Sequence, residues 1–211
     1  MSLEKYQESE PVLSPESHES ATKIAEILRD LYQNTTLKGG KLEIPDFSKE
    51  AEMNTCENRT EGVTQQLRAV IKAGQEFFGL VQTTALVKIQ GETKPYIVAS
   101  TVLTKHNADE RASVVAIIEK GQGIERVGRA HQHNLGDQVS RHHFYLEQNS
   151  DGSITVADGN IDGTPSTNGT EVFELSDGDY AKDIVDSPLD DIDFWSAKSS
   201  EVKQKILQSI F

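Results

Sequence analysis

The sequence has little cysteine and no long apolar run. Its 211 residues include one cysteine, Cys56, which excludes an internal disulfide framework, and we therefore expect a cytoplasmic location. A helix that crosses a membrane needs about 20 consecutive, mainly apolar residues, and the sequence contains no such run. The first residues are acidic and polar, unlike the charged and then apolar segment of a signal peptide. These absences predict a protein that acts away from the membrane.

Positive charge is also scarce. The chain has 21 Lys and Arg against 34 Asp and Glu, a net charge of −13, so bulk binding to nucleic acid is not expected. The charge is uneven: residues 1–60 carry −5, residues 61–150 carry +1 and residues 151–211 carry −9. An anion would meet the least repulsion in the middle of the chain. Acidic flanks are equally typical of an ordinary solvated surface.

Apolar spacing predicts helices in the first third of the chain. The first begins near residues 17–20 and is ended by Gly39-Gly40, with an apolar face of Ile24, Ile27, Leu28 and Leu31. Residues 41–47 suggest a short strand or an extended arm. A second helix is predicted from Thr60 to Phe77. We interpret both helices as packing elements, because an amphipathic face is the usual way to cover a core.

From about Gly79 the pattern becomes strand-like. β-Branched runs at 80–89, 96–103, 113–119 and 124–127 are followed by alternation around 144–146 and 154–156, with a hairpin turn at 149–152. Many short strands with close turns predict a mainly β fold, an antiparallel sandwich. The expected division is an irregular tail (1–17), a helical extension (18–78), the sandwich (79–182), and an acidic segment with a C-terminal helix (183–211).

Three polar clusters in this β region have the chemistry of an anion site. Gly128-Arg129 follows a strand, and a guanidinium donates two parallel hydrogen bonds to a phosphate. In the second cluster, residues 139–143, Ser140 offers a hydroxyl donor and Arg141 a second positive charge. The third cluster, residues 166–170, contains Asn168-Gly169, which is typical of a tight turn. The order and spacing of the three clusters are more specific than any one of them.

These clusters, VGR, VSRHH and STNGT, resemble the forkhead-associated (FHA) domain, a β-sandwich that binds phosphothreonine peptides. The resemblance extends from about Leu80 to Tyr180 and is sharpest from Val127 to Val172. It implies an FHA-like sandwich with an N-terminal helical extension and a C-terminal helix. It also implies a phosphothreonine-dependent module in signalling that recruits a phosphorylated partner protein, without catalysis and without a cofactor.

The resemblance also implies a role for each matching residue. Arg129 and Ser140 would bind the phosphate with Arg141 as helper, and Thr167 and Asn168 would bind the peptide backbone. Structural support would come from Gly128, His143 and Gly169. Asp158 matches an acidic position before the STNG turn. The chain departs from the FHA pattern at residues 159–165, which lengthen the approach to that turn and are expected to displace Asn168.

Other interpretations of these residues remain open. His131, His133, His142 and His143 suggest a zinc site, although no cysteine or acidic cluster completes it. An enzyme is poorly supported, because the sequence has no Gly-x-Ser-x-Gly elbow, no P-loop and no dinucleotide-binding fingerprint. The main alternative is a degenerate FHA-like interaction scaffold that does not bind phosphate. The sequence specifies neither the oligomeric state nor the partner, and it indicates no role for the N-terminal helices beyond packing.

Overall fold

A computed structural model of the chain describes residues 15–45, 63–89, 92–105, 112–119, 123–132 and 135–175. These residues contain one helix, α1 (Pro15–Leu31), and ten strands. The strands are β1 (Gln33–Leu37), β2 (Lys41–Ile44), β3 (Val63–Ala73), β4 (Glu76–Ile89), β5 (Glu92–Lys105), β6 (Ala112–Glu119), β7 (Ile124–Val127), β8 (Phe144–Gln148), β9 (Ile154–Asp158) and β10 (Thr170–Glu174).

The strands form two antiparallel sheets. One sheet has six strands in the order β1-β10-β3-β4-β5-β6, and the other has four in the order β2-β9-β8-β7. Each neighbouring pair is antiparallel. The predicted mainly β, antiparallel architecture is therefore confirmed. The last residues of β7 and β9 and the first residue of β8 lie in one row, because Val127 pairs with Phe144 and Phe144 pairs with Asp158.

The main core lies between the two sheets. Phe78 of the larger sheet meets Phe144 of the smaller one edge to face, with ring centroids 5.3 Å apart. Ile71 and Leu80 on one side and Leu146 and Val156 on the other are fully buried in the same cluster. The period-two alternation of β8 and β9 follows from this packing, since alternate side chains of a strand point to one face.

A second core lies on the outer face of the six-stranded sheet, where α1 packs. Leu28 and Ala25 are buried against Val70, Phe173 and other residues of the sheet, with Ile24, Ile27 and Leu31 partly buried around them. The predicted first helix is confirmed, but it ends at Leu31 and not at Gly39-Gly40. Residues 33–37 form β1 instead, because Thr35 and Thr36 favour extended backbone and the strand pairs with β10.

The second predicted helix, Thr60 to Phe77, is wrong. Its described residues form β3, the two-residue turn Gly74-Gln75 and the start of β4. Both faces of β3 are covered, one by α1 and one by the smaller sheet, so its apolar residues do not alternate simply. A register shift between Leu67 and Ala69 disturbs the alternation further. The resulting spacing resembled a helical stripe.

Of the segment 41–47, predicted as a short strand or an extended arm, residues 41–44 form the strand β2, and residues 46 and 47 lie outside the described residues. The predicted helical extension, 18–78, contains β1, β2 and β3 as well as α1, and the proposed boundary at residue 79 falls inside β4. The predicted C-terminal helix, the acidic segment and residues 1–14 of the tail lie outside the described residues. Within the described residues, no helix combines the length and the apolar character needed to cross a membrane.

Candidate functional site

The three polar clusters lie together at one end of the sandwich. Arg129 lies two residues after the end of β7, residues 139–143 lead into β8, and residues 166–169 lead into β10. Three cross-loop hydrogen bonds join them. The Arg129 N–H donates to the Ser140 carbonyl at 3.1 Å, and the Thr167 N–H donates to Ser140 Oγ at 3.0 Å. Asn168 Nδ2 donates to the Gln138 carbonyl at 2.8 Å.

Gly128 allows the first two loops to approach each other closely. A Cβ at this position would collide with the Arg141 carbonyl oxygen and would lie 2.9 Å from the His143 backbone nitrogen. The absence of a side chain lets the Ala130 N–H reach the Arg141 carbonyl at 3.0 Å and the His143 N–H reach the Val127 carbonyl at 2.9 Å. Any larger residue would separate Arg129 from Ser140.

The Arg129 side chain lies on the surface and pairs with Asp137. Arg129 Nη1 lies 3.1 Å from Asp137 Oδ1, and the two side chains are 41% and 59% exposed. An exposed pair of this kind contributes only about 0–1 kcal/mol, so a competing anion can replace it. Arg141 is exposed too, and its guanidinium makes no hydrogen bond or ion pair with another residue in the described ranges. Two exposed arginine side chains are therefore carried by the loops that meet at Ser140.

The hydroxyl of Ser140 is oriented by its neighbours. Ser140 Oγ accepts the Thr167 N–H, so its own hydrogen is free to donate to another acceptor. The Ser140 backbone N–H is already used, since it donates to His143 Nδ1 at 2.8 Å. Ser140 is therefore suited to contact an anion through its side chain and not through its backbone.

His143 connects the second and third clusters from the interior of the protein. Its ring is fully buried, Nδ1 accepts the Ser140 N–H, and Nε2 lies 3.0 Å from the Gly169 carbonyl. Because Nδ1 accepts, the network assigns the ring proton to Nε2, which donates to that carbonyl. Burial lowers the pKa of His143, with the Gly169 hydrogen bond and Asp158 acting in the opposite direction. The neutral ring is the form that makes both bonds.

Asp158, at the end of β9, organises the approach to the third cluster. Its buried carboxylate accepts hydrogen bonds from the Gly39 N–H at 2.7 Å, the Ser166 N–H at 3.2 Å, the Ser166 hydroxyl at 2.6 Å and the Thr170 hydroxyl at 2.7 Å. These bonds tie the turn between β1 and β2 to both ends of the STNG segment. Sequence reasoning noted the position of this acid but not its partners.

The lengthened segment 159–165 folds back on itself. The Asn160 N–H donates to the Thr164 carbonyl at 2.8 Å, and the Thr164 N–H donates to Asp162 Oδ1 at 2.9 Å. Gly159 has a positive φ of 84°, and a Cβ there would collide with the Thr164 carbonyl oxygen. The extra residues form a closed turn on the surface, and Asn168 remains hydrogen-bonded to the loop that carries Ser140.

The histidines divide between two environments. His131 Nε2 and His142 Nδ1 lie 3.1 Å apart on the surface, whereas His143 points into the protein with both ring nitrogens in use. Burial and then the neighbouring His142 and Arg126 lower the pKa of His131. Within the described residues, which exclude His133, no group of three or more His, Cys, Asp or Glu is arranged to hold a metal ion. His143 is therefore not available as a ligand of the zinc site that the sequence suggested.

Sequence reasoning missed two glutamines that support the loops. Gln132 Oε1 accepts the Gly128 N–H at 2.8 Å, while Gln132 Nε2 donates to the Val115 and Arg126 carbonyls at 3.2 and 3.3 Å. Gln138 contributes only its carbonyl, to Asn168. A glutamine in a polar loop has no distinctive local pattern, so nothing in the sequence indicated either contact.

Comparison with known proteins finds no protein-family model, no curated protein and no solved structure that matches this chain. A function for this chain can therefore be inferred from the geometry of the site and from the sequence resemblance.

Proposed function

We propose that this chain is a phosphothreonine-dependent binding module that recruits a phosphorylated protein partner and carries out no chemistry itself. The observation that supports the proposal is the hydrogen-bonded meeting of the Arg129, Ser140 and Thr167–Asn168 loops at one end of the sandwich. In this proposal the site is FHA-like, as the sequence resemblance implies. A cytoplasmic location stays a prediction from the sequence.

The donors around Ser140 suit a phosphate. Phosphothreonine carries about −1.5 to −2 charges at pH 7 and three strong acceptor oxygens. The guanidinium of Arg129 would bind two of these oxygens, the free hydroxyl hydrogen of Ser140 would bind one, and Arg141 would add charge. Each charge-assisted hydrogen bond contributes about 1.5–3 kcal/mol, so two or three of them would favour the phosphorylated form by a few orders of magnitude.

The remaining groups suit the peptide around the phosphate. Asn168 uses one N–H for the Gln138 carbonyl, which leaves its second N–H and its carbonyl oxygen for a peptide backbone. Thr167 is exposed beside it. The net charge of −13 opposes the approach of a phosphopeptide, but salt screens such a field over about 8 Å. Local donors therefore dominate binding once the peptide is in contact.

The first prediction tests Arg129 by fluorescence anisotropy, with a phosphothreonine peptide selected from a library and its unphosphorylated and phosphoserine forms. Arg129→Ala should weaken binding of the phosphothreonine peptide about 100-fold, because it removes a bidentate contact. Arg126→Ala removes the same charge from an exposed position on β7 and serves as the matched control. Asp137→Asn should strengthen binding, since it removes the competing carboxylate.

Two results would contradict the proposal. Equal retention of phosphorylated and unphosphorylated peptides by the wild-type protein would favour the scaffold that does not bind phosphate. Equal loss of affinity in Arg129→Ala and Arg126→Ala would indicate a general charge effect and not a contact at the assigned site. Thermal unfolding of each variant, followed by circular dichroism, shows whether a loss of binding reflects a loss of folding.

A further inference from the structure

A cavity of about 180 Å³ opens directly beside Asn168. The turn between β3 and β4, the loop that carries Gln138 and the turn before β10 meet there. We call it the Lys72 pocket, and its lining residues are Thr36, Lys72, Gly74, Gln75, Gln138, Asn168, Gly169, Thr170 and Glu171. No pattern in the sequence indicated a role for Lys72.

Lys72 is the charged group in this pocket that lacks a strong partner. It is half-buried near the end of β3, opposite Glu171 of β10. Its ammonium makes no hydrogen bond or ion pair with a residue in the described ranges. Burial lowers the pKa of Lys72, while the field of Glu171 raises it. An anion that reached the ammonium would replace part of the hydration that burial removes.

The neighbouring carboxylate is already neutralised. Glu171 accepts Arg29 Nε at 2.6 Å and Arg29 Nη2 at 2.7 Å, and Asn34 Nδ2 donates to it at 3.1 Å. This bidentate pair raises the pKa of Arg29 chiefly through the hydrogen bond to Glu171. Arg29, Glu171 and Lys72 therefore sum to one positive charge, and that charge lies on the group without a partner. The pocket should attract an anion.

The Lys72 pocket is continuous with the proposed peptide site. Thr167 contacts Ser140, Asn168 contacts the loop that carries Gln138, and Asn168 and Gly169 line the pocket. The phosphate site and the pocket are thus at opposite ends of a three-residue turn. An extended peptide advances about 3.3 Å per residue, so its side chain would reach the pocket roughly two to four residues from the phosphothreonine.

We propose that the Lys72 pocket binds the carboxylate of an acidic residue that flanks the phosphothreonine in the partner. This inference depends on the proposed function of the adjoining site. The pocket then sets partner preference: Arg129 and Ser140 require a phosphate, and Lys72 requires a second negative charge at a fixed distance along the peptide. A carboxylate suits the pocket better than a cationic side chain, because Lys72 is a positive group in its lining and the Glu171 carboxylate is already paired with Arg29.

The test compares three proteins on a phosphothreonine peptide library that is randomised on both sides of the phosphorylated residue. Wild type and Lys72→Met are compared with Lys41→Met, which removes the same charge from an exposed position on β2. The wild-type protein should enrich Asp or Glu at one flanking position. Replacing that acidic residue of the peptide by its amide should weaken binding about tenfold for wild type and Lys41→Met, and less than about twofold for Lys72→Met.

The outcomes separate the two proposals. Binding that depends on phosphate, without an acidic preference in the wild-type protein, overturns the Lys72 pocket and leaves the proposed function intact. The same conclusion follows if Lys72→Met keeps the full discrimination between the acid and the amide. Binding that is independent of phosphorylation overturns both proposals. If Lys72→Met does not fold, Lys72→Gln, which removes the charge and keeps a polar side chain, replaces it in the same comparison.

Discussion

The imidazole of His143 illustrates how one residue couples the fold to the candidate site. It is fully buried, and it contacts the backbone of the Ser140 loop and of the turn that carries Asn168. A protonated ring would place a donor at Nδ1 opposite the Ser140 N–H, and that bond would be lost. Removal of the ring by His143→Ala leaves two backbone groups unsatisfied, which costs about 1–3 kcal/mol for each group.

The second prediction concerns the pH dependence of stability. Because the folded-state pKa of His143 lies below its ordinary value of 6.5, the unfolded chain takes up the proton first. The free energy of unfolding should therefore hold above about pH 6.5 and fall as the pH decreases below it, by at most about 1.4 kcal/mol per pH unit from this group. Urea unfolding at pH 7.5, 6.5 and 5.5 measures the slope.

His131 is the control for this pH prediction, because its pKa is also lowered. The slope between pH 6.5 and 5.5 should become clearly shallower in His143→Gln and only slightly shallower in His131→Gln, because the ring of His131 is exposed and solvent weakens the effect of its lowered pKa. An unchanged slope in His143→Gln would show that other groups produce the acid sensitivity.

Single-residue patterns predicted part of this site. The sequence placed Arg129, Ser140 and Asn168 in loops next to strands, and the structure has them in such loops. The contacts of these residues with a phosphopeptide remain predictions. The Asp137 carboxylate beside Arg129 and the place of Lys72 in the pocket lined by Asn168 were not predicted, because neither follows from a local sequence pattern.

At the level of secondary-structure elements, Asp158 connects the end of β9 to the segment that precedes β10. Its carboxylate accepts four hydrogen bonds, two of them from the Ser166 backbone and hydroxyl, and it is almost fully buried. An isosteric amide would keep the shape but would place a second donor group against these donors. The connection between the two sheets thus depends on a group that only accepts hydrogen bonds and donates none.

The third prediction follows from this connection. Asp158→Asn should lower the free energy of unfolding by about 3 kcal/mol, because at least one buried donor loses its acceptor and charged acceptors are the stronger ones. Urea unfolding measures the change. Asp162→Asn, in the exposed turn of the lengthened segment, should have a much smaller effect. Equal effects of the two variants would mean that Asp158 does not hold the sheets together.

In the first third of the chain, local sequence patterns predicted a second helix where the structure has strands. Val63, Leu67, Val70 and Ile71 have helical spacing, yet they belong to β3. The turn Gly74-Gln75 was the signal for a hairpin: Gly74 has a positive φ of 63°, and Ala73 pairs directly with Glu76. A strand that is covered on both faces does not alternate between apolar and polar residues. Its sequence therefore fits the spacing of a helix as well as that of a strand.

At the scale of the whole molecule, the described residues form three layers: α1, the six-stranded sheet and the four-stranded sheet. The helix covers the outer face of the larger sheet through Leu28 and Ala25, and the sandwich core lies on the other side. Arg29, near the C-terminal end of α1, reaches Glu171 at the edge of the Lys72 pocket. The helix is therefore linked to the candidate site by one ion pair, although its apolar contacts lie elsewhere.

The fourth prediction separates the role of α1 in stability from its role near the pocket. Leu28→Ala should lower the free energy of unfolding by about 3 kcal/mol, because a fully buried leucine leaves a cavity. Affinity for the phosphothreonine peptide should stay within about twofold of wild type at a temperature where the variant is folded, since Leu28 lies outside the site. Asp30→Ala, on the exposed side of α1, is the control and should leave both quantities unchanged.

By itself, the sequence determined the elements whose pattern is local. Strands β7, β8 and β9, the hairpin turn at 149–152 and the first helix follow from alternation, turn residues and helical spacing over a few neighbours. Only the tertiary structure decided the state of β3, the contact of Asp158 with Gly39, the partners of Glu171 and the place of Lys72 in the pocket. Two layers had to cover β3 for a strand to be stable there, and these groups meet residues from distant segments of the chain.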